Sequence, residues 1–341
     1  MLRPDDGIVN EWFPVATISA VQPGSRHPFA LLDDRFVLLA DDAGEVLAVR
    51  DTCPHRGAQL SLGTWNGVTL ACPYHGWEFD GTGRCTRQPA QPTLDPPHIA
   101  DLRPIAVQRA HGLYWICVGD APRTVPMFPD YQRWPGQSVI FGPKVLASSG
   151  PRIVENFLDM AHFPYVHADY LGQVPHTEVR PYAVAVVDGE LQATNCVFWQ
   201  PRPGPTSTEG GDVAYDYAVS HPYAASLTKI PSDADGGEIE GFSLLLVASP
   251  ETETRCRVWM VTTVRNPDAD LESFSTFNQV IFGQDTAVVE SQRPVRLPLD
   301  PLAERHQPAD RMALAYRRWL RDRGVRFGTS LNDLANDPES R

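Results

Sequence analysis

This 341-residue chain is short of several things. No apolar run reaches the length of a membrane-spanning helix, which excludes a helical membrane protein. The first residues, Met-Leu-Arg-Pro-Asp-Asp-Gly, lack the basic-then-apolar pattern of an export signal, so a cytoplasmic protein with no membrane partner is expected. Positive charge is scarce: Lys and Arg total 29 against 42 for Asp and Glu, a formal net charge of −13. That balance argues against a nucleic-acid partner or an anionic membrane surface. Cysteine is limited to six residues, at 53, 72, 85, 117, 196 and 256. Six are too sparse for a disulfide scaffold at this length, and they read as reduced thiols or metal ligands. No Gly-x-Gly-x-x-Gly run occurs, so no nucleotide or flavin site is expected. No internal repeat is visible either.

What is abundant is proline, at 32 residues. So much proline predicts a loop-rich fold with strands rather than a helical bundle. The length suits two domains. The segment 10–15, Asn-Glu-Trp-Phe-Pro-Val, reads as an aromatic entry packed on the first domain. Residues 36–40 and 45–49 flank Asp41-Asp-Ala-Gly44 and read as a hairpin, and 112–118 as a further strand. A Pro-rich, weakly periodic stretch at 119–136 places the domain boundary, giving domains 1–120 and 121–341. Beyond it, 183–187 and 191–198 flank Asp188-Gly189, a strong hairpin signal. The stretch 201–212 is a low-complexity loop, and 241–248 and 256–264 form another strand pair. From 271 the period becomes helical, with Phe274, Phe277, Ile281 and Val288 on one stripe. Asp285 shares that stripe, and a carboxylate there is costly unless it is paired or metal-bound. Met312, Tyr316 and Trp319 mark a last amphipathic helix with Arg expected on its outer face.

Two stretches carry the chemistry. In Glu155-Asn-Phe-Leu-Asp-Met-Ala-His-Phe-Pro-Tyr-Val-His167, two histidines stand five positions apart around Pro164. Proline ends or kinks a helix, so Asn156, Asp159 and His162 are expected at a helix end, with His167 turned back on His162. Two neutral imidazoles converging in this way make two corners of a 2-His-1-carboxylate iron(II) site, with faces open for dioxygen and substrate. Such pairs also occur as ordinary core or surface residues, and the spacing alone does not decide. The second stretch is Cys53-Pro-His55-Arg-Gly followed by Cys72-Pro-Tyr-His75-Gly-Trp. Four such ligands suit a zinc ion or a [2Fe–2S] cluster with two cysteines on one iron and two histidines on the other. Zinc loops separate their ligands by about two to four residues, and Cys-x-His is tighter than that. The cluster reading is therefore favoured, with Gly57, Gly76 and the prolines letting backbone N–H groups approach the sulfides.

With these motifs the chain resembles the oxygenase components of Rieske-type non-haem iron oxygenases, from the Trp12-Phe-Pro segment to the Tyr316-Arg-Arg-Trp-Leu helix. It looks most like the single-subunit type, such as the methylxanthine N-demethylases and aryl-ether O-demethylases. The resemblance implies an α+β architecture: an N-terminal all-β Rieske domain and a C-terminal helix-grip domain, an antiparallel sheet with helices. The run Phe277-Asn-Gln-Val-Ile-Phe-Gly-Gln-Asp-Thr-Ala-Val-Val-Glu-Ser-Gln is similar to the family's iron-ligand helix. By that match Asp285 is the third ligand beside His162 and His167. Asn156 falls where the family has an asparagine beside the iron, and Asp159 where it has the carboxylate joining the two metal centres. Cys53, His55, Cys72 and His75 are the cluster ligands. A homotrimer is implied, in which Asp159 bridges to His75 of a neighbouring subunit.

The implied cofactors are a [2Fe–2S] Rieske cluster and mononuclear Fe(II). The implied activity is mono-oxygenation of a small aromatic or heteroaromatic compound by O2, either demethylation with loss of formaldehyde or hydroxylation. Electrons are expected from a separate reductase or ferredoxin. Ring cis-dihydroxylation by the same centre is the alternative, and a pure Rieske electron carrier a further one. The run Gln292-Arg-Pro-Val-Arg-Leu-Pro-Leu also resembles hydroxylases of larger polar alkaloids. Phe157, Tyr165, Phe198 and Phe282, with the 201–212 loop as a lid, are candidate pocket residues.

Overall fold

The computed structural model describes residues 6–203, 209–231 and 241–331. By contacts the chain divides into two units: 9–125 forms the first, and 126 onward, joined by 6–8, forms the second. The division falls at Val125/Pro126, five residues past the expected boundary. Residues 6–8 join the second unit through Asp6, which accepts from the Phe327 N–H at 2.9 Å, and through Gly7 N–H donating to Gly324 O at 3.0 Å.

The first unit is all β apart from short 3-10 turns. Its larger sheet holds β1 (Phe13–Thr17), β2 (Arg26–Leu31), β3 (Asp34–Ala40), β4 (Val46–Arg50), β9 (Pro104–Ala110) and β10 (Leu113–Cys117), in the order β1-β10-β9-β4-β3-β2. A smaller sheet runs β5 (Thr64–Trp65), β6 (Thr69–Ala71), β7 (Glu78–Asp80), β8 (Cys85–Arg87). Every residue from Phe36 to Ala40 is buried, which is why β3 reads as a continuous apolar run. The β3–β4 turn closes as expected: Gly44 adopts φ +83° and donates to Asp41 O, while the Asp41 carboxylate accepts from Glu45 N–H. The Trp12 indole donates to Arg123 O at 2.6 Å, fastening the aromatic entry segment within this unit. One buried cluster, with Val37, Val49, Leu60, Leu70 and Phe79, also contains Cys53 and Cys72.

The second unit is built on a seven-stranded antiparallel sheet. Its strands are β11 (Ser138–Leu146), β12 (Ala183–Val187), β13 (Glu190–Gln200), β14 (Gly211–His221), β15 (Ala224–Pro231), β16 (Phe242–Thr252) and β17 (Arg255–Val264), in the order β11-β17-β16-β15-β14-β13-β12. Asp188 and Gly189 both have positive φ, 51° and 82°, the backbone a two-residue hairpin needs. The β14 strand was not anticipated. Its pattern is a period-two alternation, with Val213, Tyr215, Tyr217 and Val219 buried and Asp212, Ala214 and Asp216 exposed.

Among the described residues five helices complete this unit: α1 (Pro129–Arg133), α2 (Gly150–Phe157), α3 (Phe163–Val166), α4 (Leu271–Ser291) and α5 (Arg311–Asp322). Helix α4 packs on β11 and α2 on β16. The buried face of α4 is Asn278, Phe282 and Val289, and Val288 is 43% exposed. The expected stripe through Val288 fails for a geometric reason. Spacing by sevens drifts about 20° per heptad on a straight helix, so two heptads carry it off the inner face. On α5, Met312, Tyr316 and Trp319 face inward as expected, but Arg317 is buried with them. Its guanidinium holds Glu155 with two bonds, of 2.6 and 2.8 Å, and also pairs with Glu304. Arg152 joins the same group through Glu304 at 2.6 Å. Among the described residues no helix is long and apolar enough to cross a membrane.

Candidate metal centres and cavity

In the first unit two loops with one design face each other. After β4, Cys53 N–H donates to Ala58 O at 2.8 Å and Gly57 N–H returns to Cys53 O at 2.9 Å. After β6, Cys72 N–H donates to Trp77 O at 2.8 Å and Gly76 N–H returns to Cys72 O at 3.1 Å. The closing glycines have φ +72° and +67°, a left-handed backbone that favours glycine. No protein atom crowds a Cβ placed at Gly57, so among the described residues conformation, not close approach, requires glycine there. Asp51, buried beneath the first loop, accepts from both the N–H and the hydroxyl of Ser61 at 2.6 Å.

The four side chains segregate by type. Cys53 and Cys72 are buried together in one core cluster. The rings of His55 and His75 lie 4.5 Å apart, and His55 stacks on Trp77. Nδ1 of His55 is buried with no protein partner among the described residues, which fits a metal-ligating nitrogen. Burial pushes the Cys53 thiol up, and the neighbouring Cys72 adds to the rise. Thiolates in this setting are favoured only with a cation beside them. The backbone N–H groups of His55 and Arg56 act the other way and favour the thiolate. The four ligand atoms do not close on one point, as a single tetrahedral zinc would require. Two thiols on one side and two imidazoles on the other fit a two-iron cluster with a different ligand pair at each iron.

In the second unit α2 ends at Phe157, capped at its start by Ser149, whose hydroxyl accepts from Arg152 N–H. Asp159 and His162 are therefore not on that helix, as the sequence had suggested. They form the turn into α3, and Pro164 opens that short helix rather than breaking one. Proline suits a first helical turn, where its missing N–H has no partner to lose. Asp159 organises the turn: its carboxylate accepts from the N–H groups of Ala161 and His162 and lies 2.9 Å from His162 Nδ1. Burial works to raise the Asp159 pKa, but the His162 ring and these two N–H donors outweigh it and hold the group below its ordinary value.

His167 is held at Nδ1 by Gln284 Oε1, 2.9 Å away on α4. With both Nδ1 atoms committed, the two Nε2 atoms face Asp285, also on α4. The distances to Asp285 Oδ1 are 3.6 Å from His162 and 3.2 Å from His167. Asn156 Nδ2 reaches the same oxygen at 3.4 Å. Among the described residues, His162, His167 and Asp285 are the one set of three such ligand atoms within 4.8 Å of one another. Hydrogen bonds to Nδ1 fix the tautomer that presents an Nε2 lone pair to a metal. Two imidazoles and one carboxylate on one side of a point are the donor set of a non-haem iron(II) facial triad.

The sequence reading named every member of this group except Gln284. The only signal for Gln284 was its place beside Asp285, and a helical wheel turns neighbours about 100° apart. The triad borders a cavity with about 800 Å³ of space free of protein atoms, part of it open to solvent. Phe157 and Phe282 line it as expected. Tyr165 does not and is 67% exposed, while Phe198 is buried against the Phe163 ring. Within the expected lid, residues 204–208 lie outside the described residues.

A β unit with paired Cys-His loops, and a sheet-and-helix unit with a 2-His-1-carboxylate group beside an apolar cavity, define a two-centre iron oxygenase. Residues 11–103 match the Rieske [2Fe-2S] domain and residues 147–324 the vanillate O-demethylase oxygenase C-terminal domain. The chain belongs to the Rieske non-haem iron oxygenases. It is an oxidoreductase of the terminal oxygenase type, and its cofactors are a Rieske [2Fe–2S] cluster and mononuclear iron.

Among its relatives is the probable methylxanthine N7-demethylase of Pseudomonas sp. (strain TJI-51), 37% identical over 66% of this chain and 80% of that protein. The methylxanthine N1-demethylase of Pseudomonas putida is 28% identical over 91% of this chain and 88% of its own length. The structure of that enzyme from strain CBB5 with caffeine superposes with a TM-score of 0.76 at 28% identity. The match covers 92% of this chain and 90% of that one.

Proposed function

We propose that this enzyme mono-oxygenates a small aromatic or heteroaromatic compound, most simply at an N- or O-methyl group, using O2. The observation that carries the reading is the convergence of His162 Nε2, His167 Nε2 and Asp285 Oδ1 at the edge of an apolar cavity. His162, His167 and Asp285 would hold the mononuclear iron, and Cys53, His55, Cys72 and His75 the cluster. When bound, the two centres supply single electrons and reductive activation of dioxygen.

The chain's own residues do the rest. Asp159 and Gln284 hold the two imidazoles at Nδ1 and so aim both Nε2 atoms at one point. Asn156 supplies an amide N–H beside the Asp285 carboxylate. Phe157, Phe282 and Val289 give the cavity an apolar wall that holds an aromatic ring and excludes water. Loss of formaldehyde follows when the oxidised carbon is an N- or O-methyl group, because the resulting hemiaminal or hemiacetal collapses.

The relatives that demethylate methylxanthines support this substrate class. A separate reductase or ferredoxin is the electron donor in this reading, the functional unit is a homotrimer, and the location is the cytoplasm. The first unit serves electron transfer and the second carries out the oxygenation.

The test is formaldehyde release from methoxy- and N-methyl-aromatics with a surrogate reductase, together with iron content. Three irons per chain are expected, and Asp285→Ala is expected to keep two, retain the cluster spectrum and lose all turnover. Full iron and normal activity in that variant would refute the ligand assignment. A cis-diol product would replace demethylation with ring dihydroxylation.

A further inference from the structure

The cavity has a second chemical end. Strand β15 brings Lys229 to its wall, and this lysine is only 6% exposed. Lysine is almost never buried this far without a paired charge. No carboxylate among the described residues pairs with it. Among the described residues its one hydrogen-bond acceptor is Gln200 Oε1, at 2.8 Å, and the Phe242 ring centroid lies 5.8 Å from Nζ. The Gln200 amide N–H donates to the Tyr215 hydroxyl, which fixes the amide with its oxygen toward the lysine. An ammonium has three donors, so two remain unspent. Burial lowers the Lys229 pKa to about 7.

Tyr217 lines the same cavity from the neighbouring strand β14, 2% exposed, and its hydroxyl has no partner among the described residues. Buried polar atoms are nearly always paired, so an unpaired hydroxyl on a cavity wall points to a ligand atom. The iron ligands come from the helical side of this cavity, whereas Lys229 and Tyr217 come from the sheet.

We infer that Lys229 and Tyr217 bind a negatively charged oxygen of the substrate. The enzyme would then select methylated aromatics that carry a ring-borne oxyanion. Two sources share this chemistry: a carboxylate, and the ionised N–C=O of an oxo-heterocycle. The inference rests on the reading of this cavity as the substrate site, and its test is kept separate from turnover.

Binding is measured by thermal shift on the iron-loaded enzyme without reductant, using two pairs of compounds. The first pair is 4-methoxybenzoate and 4-methoxybenzamide. The second is 7-methylxanthine, which keeps ionisable N–H groups, and caffeine, which has none. In one pair the anionic member is expected to bind about tenfold to a hundredfold tighter, the range of charge-assisted hydrogen bonds. The pair that shows the gap identifies the source.

Lys229→Met is expected to remove the gap without lowering the melting temperature of the unliganded enzyme, because methionine fills the space without an unpaired charge. Lys229→Gln serves the same comparison should the methionine variant fail to fold. Equal binding within both pairs, no binding by any of the four, or a gap that survives both variants would overturn the inference. Formaldehyde release is scored separately. Turnover without anion preference defeats this inference alone, and anion preference without turnover defeats the demethylase reading alone.

Discussion

At the scale of single residues, the proposed mononuclear centre depends on what stands behind His162 and His167 as much as on these two side chains. His162 is aimed by Asp159 and His167 by Gln284. Gln284→Leu removes the acceptor for His167 Nδ1 while keeping a similar volume. Mononuclear iron affinity should fall about 10- to 100-fold, the usual cost of losing such a partner. The cluster spectrum should be untouched, because the proposed cluster ligands lie in the first unit. Iron titration of the apo-protein measures the first effect and visible absorbance the second. Unchanged iron affinity would mean that His167 is oriented by its burial alone.

At the scale of elements, α2 and α5 are tied by a buried group of four charges: Arg152, Glu155, Glu304 and Arg317. Breaking a buried pair by removing one partner costs about 3–5 kcal/mol, because the remaining charge is stranded. Arg317→Met should therefore lower the melting temperature by several degrees, measured by calorimetry. Glu304 gives this group a pH signature. Burial acts to raise its pKa, but Arg152 and Arg317 outweigh it and hold the carboxyl below its ordinary value. On acidification the unfolded chain thus binds the proton first. The stabilisation is complete above the ordinary glutamate pKa of about 4.3 and is lost as pH falls through the lower folded value. Glu304→Gln should accordingly reduce stability at neutral pH, with the gap to wild type closing below about pH 4. A gap that stays constant from neutral to acid pH would contradict the assignment. Because α2 leads directly into the Asp159 turn, this clamp also supports the proposed iron site.

At the scale of the whole molecule, the proposed trimer has its own test. A His75→Ala chain loses a proposed cluster ligand and a His162→Ala chain loses a proposed iron ligand, so each alone should be inactive. Mixed oligomers of the two should regain formaldehyde release if an intact cluster in one subunit serves an intact iron in its neighbour. No recovery in oligomers shown to be mixed would count against the trimer and against Asp159 as the bridge to His75.

Much of this was legible in the residues because metal sites impose strict chemistry on short stretches. The ligand types and tight spacing of Cys53, His55, Cys72 and His75, the His162–His167 pair, and the turn residues Gly44, Asp188 and Gly189 are local features, read without a fold. The sequence alone therefore determined the proposed ligand sets, the hairpin turns and the absence of a long apolar span. Tertiary structure decided what depends on facing. It brought Asp285 and Gln284 from α4 to histidines more than a hundred residues earlier. It turned Val288 outward and Arg317 inward, and it placed Tyr165 on the surface. It also left Lys229 on an apolar wall with Gln200 as its acceptor. The physical reason is that burial and partnership belong to surfaces formed between elements, and a single chain position carries no record of which element will cover it.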